Sequence, residues 1–330
     1  MDTWQELVTP KTPLAPSFPE CAITELSPFG LIRVSGIDSR NFLQGQLTGD
    51  INTVTPELAQ LSSYCSPKGR MLGSFWIFQR ADDLYLQLPA ERLEAILKRL
   101  RMFVLRSEVN LEDASGELVC IGLAGDCATS MLPFVPEEGE KSCLTRDGVT
   151  IIRLPGDRPR FELIGPADML SGLWSQMLPQ AQQVGPDFWS LMDIRAGIPN
   201  VFEDTVEAFV PQMANMQLIG GVSFTKGCYT GQEVVARMQY LGTLKRRMYR
   251  IHLDTDEPPA RGARIFSPSS ESGQGAGRIV DAAPSPDGGF EALAVLQISS
   301  AEANDLRLGD ADGPALEFLR LPYALPSTED

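Results

Sequence analysis

The chain has 330 residues, 43% hydrophobic and 22% charged, an ordinary globular composition on a length that exceeds one core, so two or three domains are expected. The net charge of −15 argues against broad binding to nucleic acid or anionic membrane, and no apolar run approaches the roughly 20 residues that span a bilayer. One histidine, His252, and six cysteines without a Cys-x-x-Cys pair leave little for a Ser-His-Asp triad, a disulfide scaffold, or a resident zinc or iron–sulfur cluster. Met1 to Glu6 lacks the charged and apolar regions of a leader, so the cytoplasm is the expected compartment.

In chain order, Pro10, Pro13, Pro16 and Pro19 recur every third residue and predict an extended arm over 1–20. Gly30 to Ser35 predicts a strand, and Asp38 an N-cap for a helix carrying Phe42, Leu43 and Leu47. Leu58 to Ser66 and Met71 to Gln79 form a hairpin pattern around Pro67-Lys68-Gly69-Arg70. A strand at Leu84 to Leu88 precedes an amphipathic helix over Ala90 to Phe103. Strands at Leu118 to Leu123, Val149 to Leu154 and Arg160 to Ile164 follow, with helices over Ala167 to Leu178 and Asp187 to Ala196. From Met248 onward, short strands separated by Gly, Pro and Ser predict a small β-barrel, with His252 half-exposed on the first of them. The pattern gives an α+β fold with three parts: the arm 1–20, a region 21–245 of two split-βαβ subdomains divided near 115, and a barrel over 246–330.

The run Lys226-Gly227-Cys228-Tyr229-Thr230-Gly231-Gln232-Glu233 sets a thiol beside a lysine just before a helix pattern that ends near Gly242. Thr230 and Glu233 have capping-box spacing, which would put Cys228 two residues outside the N-cap, where free N–H groups and Lys226 favour a thiolate or an anion. The alternative is a small apolar core cysteine after ordinary turn chemistry. Between Lys226 and Arg250 six cations, Arg237 among them, stand against Glu233 alone. Such an island either holds a carboxylate or phosphate or pairs with the chain's many acids.

These residues resemble the hallmark of the YgfZ family, folate-binding relatives of the glycine-cleavage T-protein, over about residue 20 to Tyr323. Gly36-Ile37-Asp38 with Phe42 to Asp50 resembles the opening block, Phe209 to Met216 and Gly220 to Phe224 the approach to the cysteine run, and Pro322-Tyr323 the C-terminal end. The resemblance implies two ferredoxin-like units and a barrel in a ring around a tetrahydrofolate pocket. It also implies a role in sustaining iron–sulfur enzymes, one of which thiomethylates tRNA. The family's folate-contacting aromatics match Phe29 and Trp189, and these with Lys226, Cys228, Glu233 and Arg237 make the expected folate-binding set, Cys228 and Lys226 also carrying any chemistry. The implied partners are folate and iron–sulfur client enzymes, with direct tRNA contact weaker. Two positions depart from the T-protein. Its catalytic aspartate corresponds to Ser74, which cannot hold charge beside a developing iminium and argues against aminomethyl or other one-carbon transfer. Its pterin-facing glutamate corresponds to Arg195, which has no acceptor, so Glu203, Glu207 or a backbone carbonyl must replace it or the ligand sits differently.

Overall fold

A computed structural model describes residues 4–9, 19–270 and 275–326. The arm expected over 1–20 begins instead with a short helix, α1 (Trp4–Val8), because Val8 is buried and Trp4 sets its ring edge-on against Trp174 at 6.0 Å. Pro10, Pro13 and Pro16 lie outside the described residues.

Strand β1 (Cys21–Glu25) leads into the first sheet's elements: β2 (Phe29–Ser35), α2 (Ser39–Gln44), β3 (Gln60–Cys65), β4 (Met71–Arg80), β5 (Asp83–Pro89), α3 (Ala90–Arg101) and β6 (Asn110–Asp113). The sheet order is β3-β4-β5-β2-β6. Leu93, Ile96, Leu97 and Leu100 recur at helical spacing on α3 and pack on Ile32, Leu86 and Leu88, so one face of the sheet is sealed by that helix. Leu47, expected inside α2, lies beyond its end and pairs with Tyr64 instead. Asp38 precedes α2 without a side-chain cap bond, since its Oδ2 accepts from the backbone of Glu108 at 2.8 Å.

The second sheet is built from β7 (Val119–Gly125), α4 (Ala128–Met131), β8 (Cys143–Arg146), β9 (Val149–Leu154), β10 (Arg160–Gly165), α5 (Ala167–Met177) and β11 (Gln182–Gln183), in the order β11-β1-β7-β10-β9-β8. β1 thus precedes the first sheet in the chain but pairs in the second, antiparallel to β7 and parallel to β11, so the chain does not divide cleanly near residue 115. Cys21 on β1 faces Cys127 before α4, their Cα atoms 5.8 Å apart, a separation that a disulfide spans. Ile121, Leu123, Phe161 and Leu163 face Leu170 and Trp174 of α5. The opposite faces of the two sheets meet in one interior that holds Leu31, Trp76, Phe78 and Tyr85 from the first and Cys120, Ile152 and Ile164 from the second.

Helices α6 (Pro186–Ala196) and α7 (Gln232–Tyr240) lead to the last six strands: β12 (Arg246–Leu253), β13 (Arg264–Phe266), β14 (Gly277–Pro284), β15 (Phe290–Gln297), β16 (Arg307–Leu308) and β17 (Leu316–Leu319). Their order is β16-β13-β14-β15-β12-β17. The edge strands meet as well, Leu308 donating to Pro314 and Leu316 to Leu306, so the sheet curls round into a small barrel. Leu191 and Ile194 of α6 pack on Val280, Leu293 and Val295, seating the barrel against the rest. No helix among the described residues is long and apolar enough to cross a membrane.

Candidate functional site

The three blocks of sequence around the cysteine run come together at the far end of the first sheet. Thr48 bonds across to the approach segment, its Oγ1 donating to Gly221 at 2.7 Å and its carbonyl accepting from Ser223 at 2.9 Å. Lys226 reaches into the opening block, where its Nζ donates to the carbonyls of Leu47 and Gly49, each at 2.7 Å. Burial lowers its pKa to about 8, with Asp50 opposing the shift. The ammonium lies 5.2 Å from the centre of the buried Tyr229 ring. Lys226 is a clip that fastens the loop to the first sheet.

The capping box expected at Thr230 and Glu233 does not form. Gly231 is the N-cap of α7, at φ 83°, with no side-chain cap bond. The hairpin turn Ser66–Gly69 packs so closely that a Cβ on residue 231 would lie 2.5 Å from the Ser66 carbonyl. Only glycine admits that approach together with a left-handed φ. The helix therefore starts later than the spacing suggests, Glu233 falls at its second position rather than its third, and Cys228 lies three residues before the cap. Glu233 and Arg237 are exposed on α7, while Val235 is buried and its carbonyl accepts from Gln212 Nε2 at 2.6 Å.

Cys228 is the exposed free cysteine among the described residues. Cys65, Cys120 and Cys143 are buried, and burial pushes the thiols of Cys65 and Cys143 up to about 12 and that of Cys120 well above its ordinary value. A thiolate is the reactive form, so the three interior thiols are inert and Cys228 is available.

Phe29 and Trp189 are placed elsewhere, in the interior between the first two sheets. The Trp189 ring packs against β7, where a Cβ on Gly122 would approach it to 2.6 Å, and Arg160 stands 5.3 Å from the ring centre. Phe29 is half-buried against the same core and borders a recess of about 110 Å³ with Leu26, Leu118 and Cys120. Lys226, Cys228, Glu233 and Arg237 do not line that recess, so the expected folate set falls into two groups.

Beside the Trp189 ring lies a polar cluster that the sequence did not announce. Glu162 on β10 is 1% exposed and accepts from Gln87 Nε2 of β5, across the gap between the sheets. Burial raises its carboxyl to about 7, Asp193 adding to the shift and Gln87 opposing it. Arg160 and Asp193 form a buried ion pair at 2.8 Å, with Asn200 donating to the other Asp193 oxygen at 3.2 Å. Burial also raises the Asp193 carboxyl, Arg160 opposing it. The one signal for Glu162 was a carboxylate inside the apolar strand Phe161–Ile164, which alternation alone reads as an outward-facing residue.

A larger cavity of about 380 Å³ opens where the three sheets meet, bordered by Leu61, Lys141, Asp157, Ile198, Ile219 and Tyr323. Lys141 donates to the Ile219 carbonyl at 2.6 Å and Tyr323 to that of Gly197 at 3.0 Å. Leu61 and Ile198 belong to the interior that also holds Trp189.

The positions that depart from the T-protein have structural employment. Ser74 accepts from the Val201 backbone N–H at 3.0 Å. Arg195 turns to the barrel, where Glu291 accepts from it at 2.6 Å and from Arg250 at 2.6 Å. Burial alone would raise the Glu291 carboxyl, but these bonds outweigh it and hold it below its ordinary value. Glu203 pairs with Arg92, and Glu207 donates its backbone N–H to Met71, so neither is committed to the interior. The basic island is dispersed: Arg250 serves Glu291, Arg247 donates to Pro326 at 2.6 Å and Arg246 to Gly275 at 2.8 Å.

The chain is similar along nearly its whole length to two curated proteins called tRNA-modifying protein YgfZ. That of Colwellia psychrerythraea is 32% identical over 317 residues, 95% of this chain and 96% of that one. That of Yersinia enterocolitica is 30% identical over 311 residues, 93% of each. Among solved structures, the glycine cleavage system aminomethyltransferase T from Bartonella henselae matches 92% of this chain and 86% of its own, with a TM-score of 0.72 at 16% identity, a likeness of fold. No protein-family model matches the chain.

Proposed function

We propose, from the premise that this chain belongs to the YgfZ family of tRNA-modifying proteins, that it binds a reduced folate and supports the assembly or repair of iron–sulfur enzymes, a tRNA-thiomethylating one among them. The observation that carries the folate half is the buried carboxylate Glu162, paired across the strands with Gly122, against which Trp189 packs. A pterin needs acceptors for its amino and ring N–H groups and a flat surface to lie on, and Glu162 with Gln87 and the rings of Trp189 and Phe29 are of that chemistry. The 380 Å³ cavity, whose walls include Leu61 and Ile198 of the same hydrophobic interior, is within the size range of ligand sites, and Lys141 at its border suits a carboxylate tail. When bound, the folate would supply a one-carbon or reducing centre; the chain's own residues orient it and exclude water. We read the first two sheets as ferredoxin-like units that form, with the barrel, a ring around this region. Cys228 would meet client proteins at the surface in redox exchange or transient capture, in the cytoplasm. The alternative of an aminomethyl or other one-carbon transferase lacks its acid, because Ser74 is occupied with the Val201 backbone.

Calorimetric titration with tetrahydrofolate tests the first half. Saturable binding that weakens about tenfold or more in Trp189→Ala and Glu162→Leu is expected. No binding to the folded protein would overturn it. Restoration of a client iron–sulfur enzyme by wild-type protein but not by Cys228→Ser tests the second half, and full activity of that variant would remove Cys228 from the account.

A further inference from the structure

Cys21 opens β1 and Cys127 stands immediately before α4. Both are half-exposed, unlike the buried Cys65, Cys120 and Cys143. Their Cα atoms are 5.8 Å apart and their sulfurs are in contact, 106 positions apart in sequence. A bond between them closes a loop that contains every strand of the first sheet.

The pair is also held together by contacts that do not involve sulfur. Cys21 lies opposite Gly125 in the ladder of β1 with β7, two residues before Cys127. The Asp126 backbone N–H donates to the Glu20 carbonyl at 3.2 Å, so the residues that precede the two cysteines are bonded to each other. Arg158 spans the same two residues. It donates to the Asp126 carboxylate at 3.0 Å, to the Glu20 carbonyl at 3.4 Å and to the Pro19 carbonyl at 3.2 Å. These contacts keep the cysteines side by side whether or not they are joined. Two groups held in reacting geometry behave as an intramolecular pair, at an effective concentration far above that of a thiol free in solution. Exchange requires a thiolate to reach a sulfur, and a half-exposed pair admits that where a sealed one does not.

We propose that Cys21 and Cys127 form a reversible thiol–disulfide couple, a redox modification site distinct from the free thiol of Cys228. Arg158 is its positioning residue, and a low-molecular-weight disulfide such as oxidised glutathione is its oxidant. The thiolate of one cysteine attacks a glutathione sulfur, the glutathione S–S bond breaks and one glutathione thiolate leaves. The second cysteine, as its thiolate, attacks the protein sulfur of the mixed disulfide and expels the second glutathione thiolate. Two protein thiols thereby lose two electrons and two protons, and both pass to the two glutathione thiols. The surrounding ratio of thiol to disulfide then sets whether the first sheet lies inside a covalent loop. The couple does not depend on folate binding.

The test uses the full-length protein, equilibrated at graded ratios of reduced to oxidised glutathione, quenched in acid, unfolded, alkylated and read by peptide mass spectrometry. Cys21 and Cys127 are expected to pass together from alkylated to linked in one transition, while Cys65, Cys120 and Cys143 stay alkylated. The reduced protein should remain folded, gain two reactive thiols beyond Cys228, and melt about 5–10 °C below the oxidised form. In Cys21→Ser, Cys127 should carry bound glutathione instead of the link. Arg158→Ala should move the midpoint severalfold toward oxidant with the fold retained. Either cysteine staying fully alkylated in excess oxidised glutathione, or both carrying glutathione without a link, would overturn the proposal. So would a link that resists dithiothreitol in the folded protein and yields only on unfolding. A midpoint unmoved by Arg158→Ala would overturn the positioning role.

Discussion

Cys120 and Cys228 are both free thiols, yet their surroundings are opposite. Cys120 is buried between two sheets, 3.9 Å from Gln87 Nε2 and beside the carboxylate of Glu162, and its thiol is held protonated. Cys228 stands exposed on a loop fastened by backbone carbonyls and a glycine cap. The same contrast holds for Glu162 in the interior and Glu233 on α7. In the interior, burial selects protonation and every polar group depends on a partner across the gap. At the loop, the exposed thiol stands on a backbone fastened by Lys226 and Gly231, and the fold contributes its position.

The sharpest break of that contrast is Asp193→Ala. It leaves Arg160, 1% exposed, without its counter-charge, and removing one partner of a buried pair costs about 3–5 kcal/mol. Urea denaturation should show that loss, whereas Arg160→Met with Asp193→Leu should recover most of it. A cost below about 1 kcal/mol for Asp193→Ala would mean that water reaches the pair and the interior is not dry.

Glu162 gives the next largest effect, with a definite direction in pH. Its folded carboxyl keeps its proton up to about pH 7, while the unfolded one releases it near 4.5. The native state therefore gains stability below 4.5 and loses it as pH rises through 7, by about 3 kcal/mol. Asp281, raised to about 6 by burial against its bond to Arg261, contributes in the same direction. Glu162→Gln should flatten the fall between pH 5 and 7.5 and leave the Asp281 part. An unchanged slope in that variant would place the titration elsewhere.

Why one region was legible and the other not is a matter of what alternation encodes. The apolar spacing of Leu93, Ile96, Leu97 and Leu100 gave α3, and the barrel strands were readable from turns at Gly and Pro. Alternation in β10 tells which residues share a face but not that a second sheet covers the polar one, so nothing local marks Glu162 as buried. β1 has five residues and pairs with strands about a hundred or more positions away, a contact no local pattern contains. At the loop the cysteine run itself was plain, but its cap was not. Thr230 and Glu233 satisfied the local rule, and the Ser66 hairpin overrode it through Gly231. Arg195 lacks an acceptor in any local reading, and its partner Glu291 stands 96 positions away on the barrel.

Lys226 tests whether its clip is what positions the loop. Lys226→Met keeps the length of the stem and removes two charge-assisted hydrogen bonds to Leu47 and Gly49, a loss of about 1–2 kcal/mol in denaturant unfolding. Hydrogen exchange should accelerate over 223–230 and over 47–49 while the sheet interior stays protected. If exchange is unchanged there, the clip is not what holds the loop.

The smallest effect on stability should come from Cys228→Ser, within about 0.5 kcal/mol, because an exposed side chain has no cavity to leave and no buried bond to break. Its effect on labelling should be complete. Under native conditions a thiol reagent is expected to modify Cys228 and to spare Cys65, Cys120 and Cys143 until the protein unfolds, and the variant should then show no fast labelling. If one of the three interior cysteines reacts as fast as Cys228 in the folded wild type, the division between a sealed interior and an available loop fails at the residue that defines it.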